Sequence, residues 1–127
     1  MTLSVAELSI VAWQVRDHSR LIGTTAVGCS VLTESGEVFA GCNVEHRYRS
    51  NDIHAEVNAL SSMVAGSRAR ASVVFIAAER EHFTPCGACL DWIFELGGDS
   101  CDVYVQSDRD SEPARYRATD LMPYYSR

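Results

Sequence analysis

The segments His54-Ala55-Glu56 and Pro85-Cys86-Gly87-Ala88-Cys89 are the two stretches around which the rest of the chain is organised. One histidine and two cysteines can supply nitrogen and sulfur ligands to a tetrahedral zinc ion and leave its fourth position open, as catalytic sites require. Glu56 is not needed as a ligand, so its carboxylate is free to move protons. The pattern predicts a catalytic Zn2+ site with His54, Cys86 and Cys89 as its ligands.

The first segment is expected at the start of a helix. Asp52 is predicted to be the N-cap of a helix that runs through Leu60 and ends at Gly66. His54 and Glu56 are two positions apart, and in the middle of a helix their side chains would point away from each other. Both can therefore face one site only if the helix begins beside them.

The second segment also predicts a helix start. Pro85 suits the first turn of a helix because the amide hydrogen that proline lacks would have no partner there. The i, i+3 spacing of Cys86 and Cys89 places both sulfurs on one side of that turn. A helix N-terminus favours anions, and so it favours the thiolates that bind zinc. A Cys-x-x-Cys pair alone also marks redox dithiols, and the histidine at the other helix start is what favours a metal.

The remaining pattern predicts an α/β fold. Ser4 and Glu7 form a capping box for a first helix. The other expected features are a helix at 4–16, a β-hairpin of strands at 25–32 and 38–44, buried strands at 72–78 and 102–106, a polar loop at 108–114 and an aromatic tail at 121–125. This order predicts a mixed sheet with helices on its faces. No linker or repeat interrupts it, so residues 1–127 are expected to form one domain.

The composition favours a small-molecule substrate. The 127 residues carry a formal net charge of −6, and no basic run is longer than two residues, whereas a nucleic-acid surface needs a basic patch. No apolar run approaches the length of a membrane span. The chain is therefore predicted to bind neither a nucleic-acid polymer nor a membrane.

The cysteines predict a reducing environment. There are 5 of them, an odd number, and no secretory signal precedes the first predicted helix. A disulfide framework is therefore not expected, and the predicted location is the cytoplasm. Cys29, Cys42 and Cys101 lie in apolar, strand-like runs, and they are expected to be buried hydrophobic residues.

Taken together, these segments make the whole chain resemble the short cytidine deaminase family, which includes blasticidin-S deaminase. The motifs that carry the resemblance are Gly41-Cys42-Asn43-Val44-Glu45, His54-Ala55-Glu56, Thr84-Pro85-Cys86-Gly87-Ala88-Cys89 and Leu121-Met122-Pro123. The middle two are shared by the wider deaminase superfamily, and the first is more specific. The resemblance implies a three-layer α/β fold in which a mixed five-stranded sheet carries helices on both faces.

The resemblance also implies an activity and residue roles. The expected reaction is zinc-dependent hydrolysis of a cytidine-like free nucleoside to its uridine-like product and ammonia, within pyrimidine salvage. Glu56 would move the protons. The Ala55 amide and the Thr84 carbonyl would orient the base. Asn43 and Glu45 would bind the ribose hydroxyls.

An assembly is implied as well. In the short deaminases the subunits form a homotetramer, and a C-terminal aromatic residue of one subunit reaches the active site of another. Tyr124 or Tyr125 is therefore expected to border the site of an adjoining subunit. Tyrosine suits such a position because it buries much apolar area and keeps a polar group.

The chain departs from the family around the metal. Short members use three cysteines with two arginines nearby, whereas here the first ligand is His54 and the arginine positions hold Val57 and Leu90. These changes agree with one another, because two thiolates and a neutral imidazole bring Zn2+ to zero net charge. A buried arginine would then have no counter-charge. The departures therefore support an active zinc site.

Other departures leave two alternatives open. Thr25 stands near the place of the family's ring-stacking phenylalanine, and Asp91 and Trp92 replace the usual polar residues after the second cysteine. Trp92 is itself predicted to be a core residue, because Cys89, Ile93 and Leu96 surround it at helical spacing. A deaminase of a modified base or of an aminonucleoside antibiotic is therefore one alternative. A structural zinc module is the other, and it would need a fourth protein ligand such as His46 or His82.

Overall fold

The computed structural model describes residues 4–125. Its elements are α1 (Val5–Arg16), β1 (Val27–Thr33), β2 (Val38–Cys42), a 3-10 helix (Arg49–Asn51), α2 (Ala55–Gly66), β3 (Ala71–Ala78), α3 (Gly87–Gly97), β4 (Asp102–Gln106), β5 (Ala114–Arg117) and α4 (Ala118–Leu121). The predicted capping box of Ser4 and Glu7 is present. Within these residues no helix is both long enough and apolar enough to cross a bilayer.

The strands form one mixed sheet in the order β2-β1-β3-β4-β5. β1 pairs antiparallel with β2 and β3, β5 pairs antiparallel with β4, and β3 and β4 are parallel. The parallel pair is joined through α3, as a crossover requires. The five-stranded mixed sheet is confirmed. The residues alone predict no strand at 114–117, because β5 is a short edge strand whose mostly exposed side chains show no apolar alternation.

Helices cover both faces of the sheet. On one face, Leu8 and Trp13 of α1 pack with Phe75 of β3. On the other face, α2 and α3 pack against Val74 and Ile76, so successive residues of β3 point to opposite sides. The predicted three-layer α/β architecture is confirmed.

α2 lies unusually close to the end of β2. A Cβ atom on Gly41 would lie 2.4 Å from the backbone nitrogen of Ala59, so this approach requires a glycine. Asn58 donates a hydrogen bond from Nδ2 to the Cys42 carbonyl oxygen at 2.9 Å. These contacts bring the residues that follow β2 beside the first turn of α2.

Two helix starts differ from the prediction. The N-cap of α2 is His54 and not Asp52, whose carboxylate instead accepts hydrogen bonds from a backbone amide and from Arg49. The N-cap of α3 is Cys86, so Pro85 lies just outside the helix and not in its first turn. In both helices the cap position is thus occupied by a predicted metal ligand.

The prediction that Trp92 is a core residue is wrong. Trp92 is 49% exposed because the buried residues of α3 lie on another face of the helix. Those residues are Cys89, Leu90, Ile93, Phe94 and Gly97.

The prediction that Cys29, Cys42 and Cys101 are buried hydrophobic residues is confirmed, since all three side chains are buried.

Candidate active site

His54, Cys86 and Cys89 bring three donor atoms together at the N-termini of α2 and α3. His54 Nδ1 lies 3.3 Å from Cys89 Sγ and 3.4 Å from Cys86 Sγ, and the two sulfurs are 3.5 Å apart. A tetrahedral zinc ion with Zn–S bonds of about 2.3 Å and Zn–N bonds of about 2.0 Å separates its ligand atoms by roughly 3.5 to 3.8 Å. These three residues, the metal triad, are therefore positioned to bind zinc.

The local backbone leaves these side chains available to a metal. His54 and Cys86 are N-cap residues with extended backbone, and neither side chain caps its own helix. Cys89 follows in the first turn of α3. Because α3 comes after β3, the metal triad lies beyond the carboxyl end of a central strand, where α/β sheets commonly bind their ligands.

The described residues supply no fourth ligand of the kind a structural zinc module needs. Among residues 4–125, the metal triad is the one cluster of histidine, cysteine or acidic side chains whose donor atoms could share a metal ion, and these atoms lie within 4.8 Å of one another. His46 does not join it, and its Nδ1 accepts a hydrogen bond from the Tyr48 amide at 2.9 Å. His82 lines the adjoining cavity but also stays outside the group.

Glu56 lies beside the metal triad on the first turn of α2. It is only 3% exposed. Burial raises the pKa of Glu56, although hydrogen bonds from its own backbone amide and from the Cys89 thiol oppose that shift. A carboxyl group whose pKa moves toward neutrality can both accept and release a proton, as a general acid–base must.

Burial also governs Cys89. It raises the pKa of the Cys89 thiol, and the nearby Glu56 carboxylate raises it further. A coordinated zinc ion has the opposite effect, because a metal-bound thiol is deprotonated. The closed environment of Cys89 therefore favours a bound cation over a free thiolate.

A cavity of about 510 Å³ opens over the metal triad and Glu56. This volume lies in the range of small-molecule sites. The predicted residues that line it are Asn43, Glu45, His54, Ala55, Glu56, Thr84 and Cys86, while Cys89 is buried behind them. The fold therefore brings to one cavity the predicted metal and proton-transfer residues and all the predicted substrate residues except the C-terminal tyrosines.

Asn43 forms the part of the cavity wall next to β1. Its Oδ1 accepts a hydrogen bond from the Val27 amide at 2.9 Å, and its Nδ2 donates to the Thr25 carbonyl oxygen at 2.7 Å. These bonds fix the orientation of the side-chain amide and leave one lone pair and one N–H for a ligand. Thr25 itself also lines the cavity.

Arg49 is a cavity residue that the sequence analysis does not identify. It donates from Nη2 to Glu45 Oε2 and from Nε to Asp52 Oδ2, both at 2.8 Å. The other oxygen of Glu45 accepts hydrogen bonds from the Ile22 and Gly23 amides, each at 2.8 Å. We call Glu45, Arg49 and Asp52 the Arg49 network. Arg49 is four residues after Glu45 and three residues before Asp52, a spacing that predicts ion pairs within a helix. The sequence of this segment has no helical pattern, so the spacing alone does not predict these contacts.

The Arg49 network contains two stabilised carboxylates. Hydrogen bonds from the Gly23 and Ile22 amides lower the pKa of Glu45, and the hydrogen bond from the His46 amide lowers the pKa of Asp52. The guanidinium between them lowers both pKa values further. This end of the cavity is therefore ionised at neutral pH, with two negative charges and one positive charge.

The loop between β3 and α3 forms the remaining wall. Its cavity-lining residues are Arg80, Glu81, His82, Phe83 and Thr84. Among residues 4–125, His82 is the one non-glycine residue with a positive φ, of 57°. A left-handed backbone is unusual for a residue with a side chain. For this loop the sequence analysis predicts Thr84 as a substrate contact and considers His82 only as a possible fourth metal ligand, because no spacing rule fixes how an irregular loop crosses a cavity.

The C-terminal tyrosines contribute no wall to the cavity of their own chain. The ring of Tyr125 stacks on Phe94 of α3, with centroids 4.3 Å apart, and its hydroxyl donates a hydrogen bond to Asp91. Tyr124 is 98% exposed. Tyr125 is thus engaged within its own subunit, and the expected contact with an adjoining subunit stays a prediction.

Comparison with known proteins gives consistent matches. A family model described as the cytidine and deoxycytidylate deaminase zinc-binding region matches residues 5–105. A cytidine deaminase of Sporosarcina psychrophila is 34% identical over 80 residues, which cover 62% of this chain and 59% of that protein. A probable cytidine deaminase of Dictyostelium discoideum is 34% identical over 87 residues, covering 67% of this chain and 58% of that protein. The match thus spans less than two thirds of either relative.

The fold comparison extends over nearly the whole chain. The crystal structure of a cytidine deaminase from Burkholderia pseudomallei superposes with a TM-score of 0.87 at 26% identity, covering 96% of this chain and 98% of that one. The similarity therefore includes the sheet, the helices on both faces and the segments that carry the metal triad.

Proposed function

This chain belongs to the family of cytidine and deoxycytidylate deaminases, and from that membership we propose that it hydrolyses a cytidine-like free nucleoside to its uridine-like product and ammonia. The observation that carries the proposal is the cavity in which the buried Glu56 lies beside the metal triad. Hydrolytic deamination needs an activated water and a group that moves protons, and both requirements meet in this cavity.

The residues around the metal triad fit a zinc ion. When bound, zinc supplies Lewis acidity to a water molecule. Two thiolates and a neutral imidazole cancel its two charges. Leu90 is buried and Val57 is half-buried, so both positions at which the resemblance implies arginines are apolar. An uncharged metal centre suits these surroundings, because a buried arginine without a counter-charge is unfavourable.

Glu56 is the proposed proton carrier. Its carboxylate takes a proton from the attacking water and delivers it to the ring nitrogen next to the amino-bearing carbon. It then moves the second proton of that water to the amino group, which leaves as ammonia. Each cycle returns Glu56 to its carboxylate form. Its buried position supports this role, because burial favours the protonated carboxyl between the two transfers.

The substrate is proposed to lie between the two helix starts and the end of β2. Ala55 is the first residue of α2, and its amide is one of the four N-terminal amides without a partner inside the helix. This amide and the Thr84 carbonyl are proposed to orient the base. Asn43 and Glu45 are proposed to bind the sugar hydroxyls, which is consistent with their place in the cavity wall.

The proposed assembly is a homotetramer. Large apolar side chains are exposed in the two segments beside the cavity, namely Leu21, Ile22, Tyr48 and Ile53. Exposed apolar residues grouped near one site are typical of a protein interface. Tyr124, also exposed, is the better candidate of the two tyrosines for a site in an adjoining subunit, because Tyr125 packs on its own α3. Sedimentation should give a tetramer, and removal of residues from Tyr124 onward should weaken substrate binding without removing zinc.

The proposed substrates are free nucleosides, and the proposed location of the protein is the cytoplasm. The net charge of −6 disfavours a nucleic-acid polymer, and the free cysteines suit a reducing compartment. Residues 1–127 are proposed to act as one domain.

The test combines metal analysis with a substrate screen. Purified protein should contain one zinc per chain, and a panel of free nucleosides should yield ammonia with cytidine or 2′-deoxycytidine. Modified cytosines and aminonucleosides in the same panel test the alternative substrate class. A protein that holds zinc but releases ammonia from no member of the panel would contradict the proposal.

A further inference from the structure

Glu45 has few hydrogen-bond positions left for a substrate. Its Oε1 accepts from the Ile22 and Gly23 amides, and its Oε2 accepts from Arg49. Since each carboxylate oxygen has about two lone-pair directions, one acceptor position remains, and it lies on Oε2. A single position suits one hydroxyl group of a sugar.

Arg49 keeps unused donors at the same place. A guanidinium carries about five N–H groups, and Arg49 uses one for Glu45 and one for Asp52. No acceptor among residues 4–125 meets the others. The Arg49 side chain is 53% exposed and lines the cavity. A sugar that reaches Glu45 therefore also meets the donors and the positive charge of Arg49.

The charge of Arg49 changes which sugars this end of the cavity can accept. With the guanidinium present, the two carboxylates of the Arg49 network leave one net negative charge. Without it, two negative charges would face the sugar, and an oxygen of Glu45 would be released. At separations of about 6 Å, a unit charge near a protein surface changes the affinity for a charged group by more than about tenfold.

We propose that Arg49 is the specificity-determining residue for the sugar of the substrate: it sets this end of the cavity for a neutral, hydroxyl-bearing sugar and against a cationic aminosugar. The inference rests on the proposed deaminase function and deepens it. Arg49 occupies one of the two acceptor positions on Glu45 Oε2, and its positive charge repels an ammonium group that approaches the other position. Among the alternatives for this site, Arg49 therefore disfavours aminonucleosides.

The test compares two substrates that differ in one sugar substituent. The values of kcat/KM are measured for cytidine and for 3′-amino-3′-deoxycytidine, at a pH where the amine is protonated, in the wild type and in Arg49→Gln. The ratio of the aminonucleoside value to the cytidine value should rise at least about tenfold in the variant, mainly through KM. If Arg49→Gln only made the cavity less ordered, kcat/KM would fall for both substrates alike and their ratio would stay unchanged.

Two further variants provide the controls. Arg47→Gln removes the same charge two positions away, at a side chain that lies over the Tyr48 ring and does not line the cavity, and its ratio should change less than about threefold. Arg49→Lys keeps the charge, and it should keep the wild-type ratio even if Arg49→Gln folds poorly. Equal ratios in Arg49→Gln and Arg47→Gln, or a ratio in Arg49→Lys that rises tenfold, would overturn the proposal. Absence of wild-type turnover with any nucleoside would instead overturn the proposed function itself.

Discussion

The two ends of the cavity are built in different ways. The metal end rests on the first turns of α2 and α3, two helices of 12 and 11 residues that pack on the sheet. The opposite end, which holds Glu45 and Arg49 and is called the sugar end for its proposed role, rests on the segments at 20–25 and 43–53, whose regular structure is a short 3-10 helix. An isolated bridge between Arg20 and Val44 joins the two segments, and so do the hydrogen bonds that Glu45 accepts from the Ile22 and Gly23 amides. Regular helices fix the geometry of the metal triad, whereas polar side-chain contacts fix the orientation of Glu45.

This difference in construction matches the different roles proposed for the two ends of the cavity. Chemistry at the metal end needs donor atoms held within a few tenths of an ångström, which the first turns of two helices packed on the sheet can provide. Substrate choice at the sugar end can change through one exposed residue such as Arg49, without disturbing the core. Substitutions at the metal end should therefore abolish zinc binding or turnover, and substitutions at the sugar end should mainly change which substrate is used.

The largest effect is expected from removal of a metal ligand. Cys86→Ala should lose zinc, activity and thermal stability together, because metal-binding energy is coupled to folding. Metal analysis and a thermal melt check this result. Cys42→Ala is the matched control, since Cys42 is a buried cysteine outside the metal triad, and it should retain zinc. Full zinc content in Cys86→Ala would contradict the assigned ligand set.

The next effect concerns Glu56. Glu56→Gln should keep zinc and the fold but lower kcat by a factor of about 10² to 10⁴, the usual contribution of a positioned general acid–base. Steady-state ammonia release and metal content measure the two properties separately. Glu95→Gln, at an exposed carboxylate of α3, is the control and should leave kcat unchanged. Similar turnover in Glu56→Gln and wild type would place the proton carrier elsewhere.

A smaller effect is expected from the charge of the metal centre. His54→Cys adds a third thiolate and one negative charge, with apolar Val57 and Leu90 nearby, so kcat should fall about tenfold while zinc is retained. Adding Val57→Arg should restore part of the loss, although Val57→Arg alone should lower activity in the His54 background. A double mutant no faster than His54→Cys would show that the charges at these positions are not coupled.

The metal end could be predicted from sequence almost residue by residue. His54, Cys86 and Cys89 lie in contiguous motifs, and helix starts have recognisable local signals. Even there, the sequence predicts Asp52 as the N-cap of α2, whereas the N-cap is His54. The usual cap preference for aspartate failed because Asp52 is held by Arg49 and the His46 amide.

The sugar end could be predicted only in part. Asn43 and Glu45 follow from a family resemblance. Arg49 contacts Glu45 and Asp52, which are near it in sequence, but the segment has no helical pattern, and its place in the cavity wall depends on the tertiary structure. The same limit explains Trp92 and β5. Helical spacing alone could not tell which face of α3 is buried, and an exposed edge strand of four residues carries no periodic signal.

The smallest expected effect is a pH dependence of stability at the sugar end. Glu45 and Asp52 have folded-state pKa values below their ordinary values, because backbone amides and Arg49 donate hydrogen bonds to their carboxylates. A carboxyl group of this kind stabilises the fold fully above its unfolded pKa, which is about 4, and loses that contribution as the pH falls through the lower folded value. In Glu45→Gln the contribution of Glu45 is absent at every pH. The melting temperature of the variant should therefore lie a few degrees below that of the wild type at pH 7, and the gap should narrow below about pH 4. Thermal melts of both proteins from pH 7 to pH 3 measure that gap, and zinc release at low pH affects both proteins alike. A gap that stays constant across this range would mean that the hydrogen bonds to Glu45 do not stabilise its ionised form, and that the sugar end is held by packing alone.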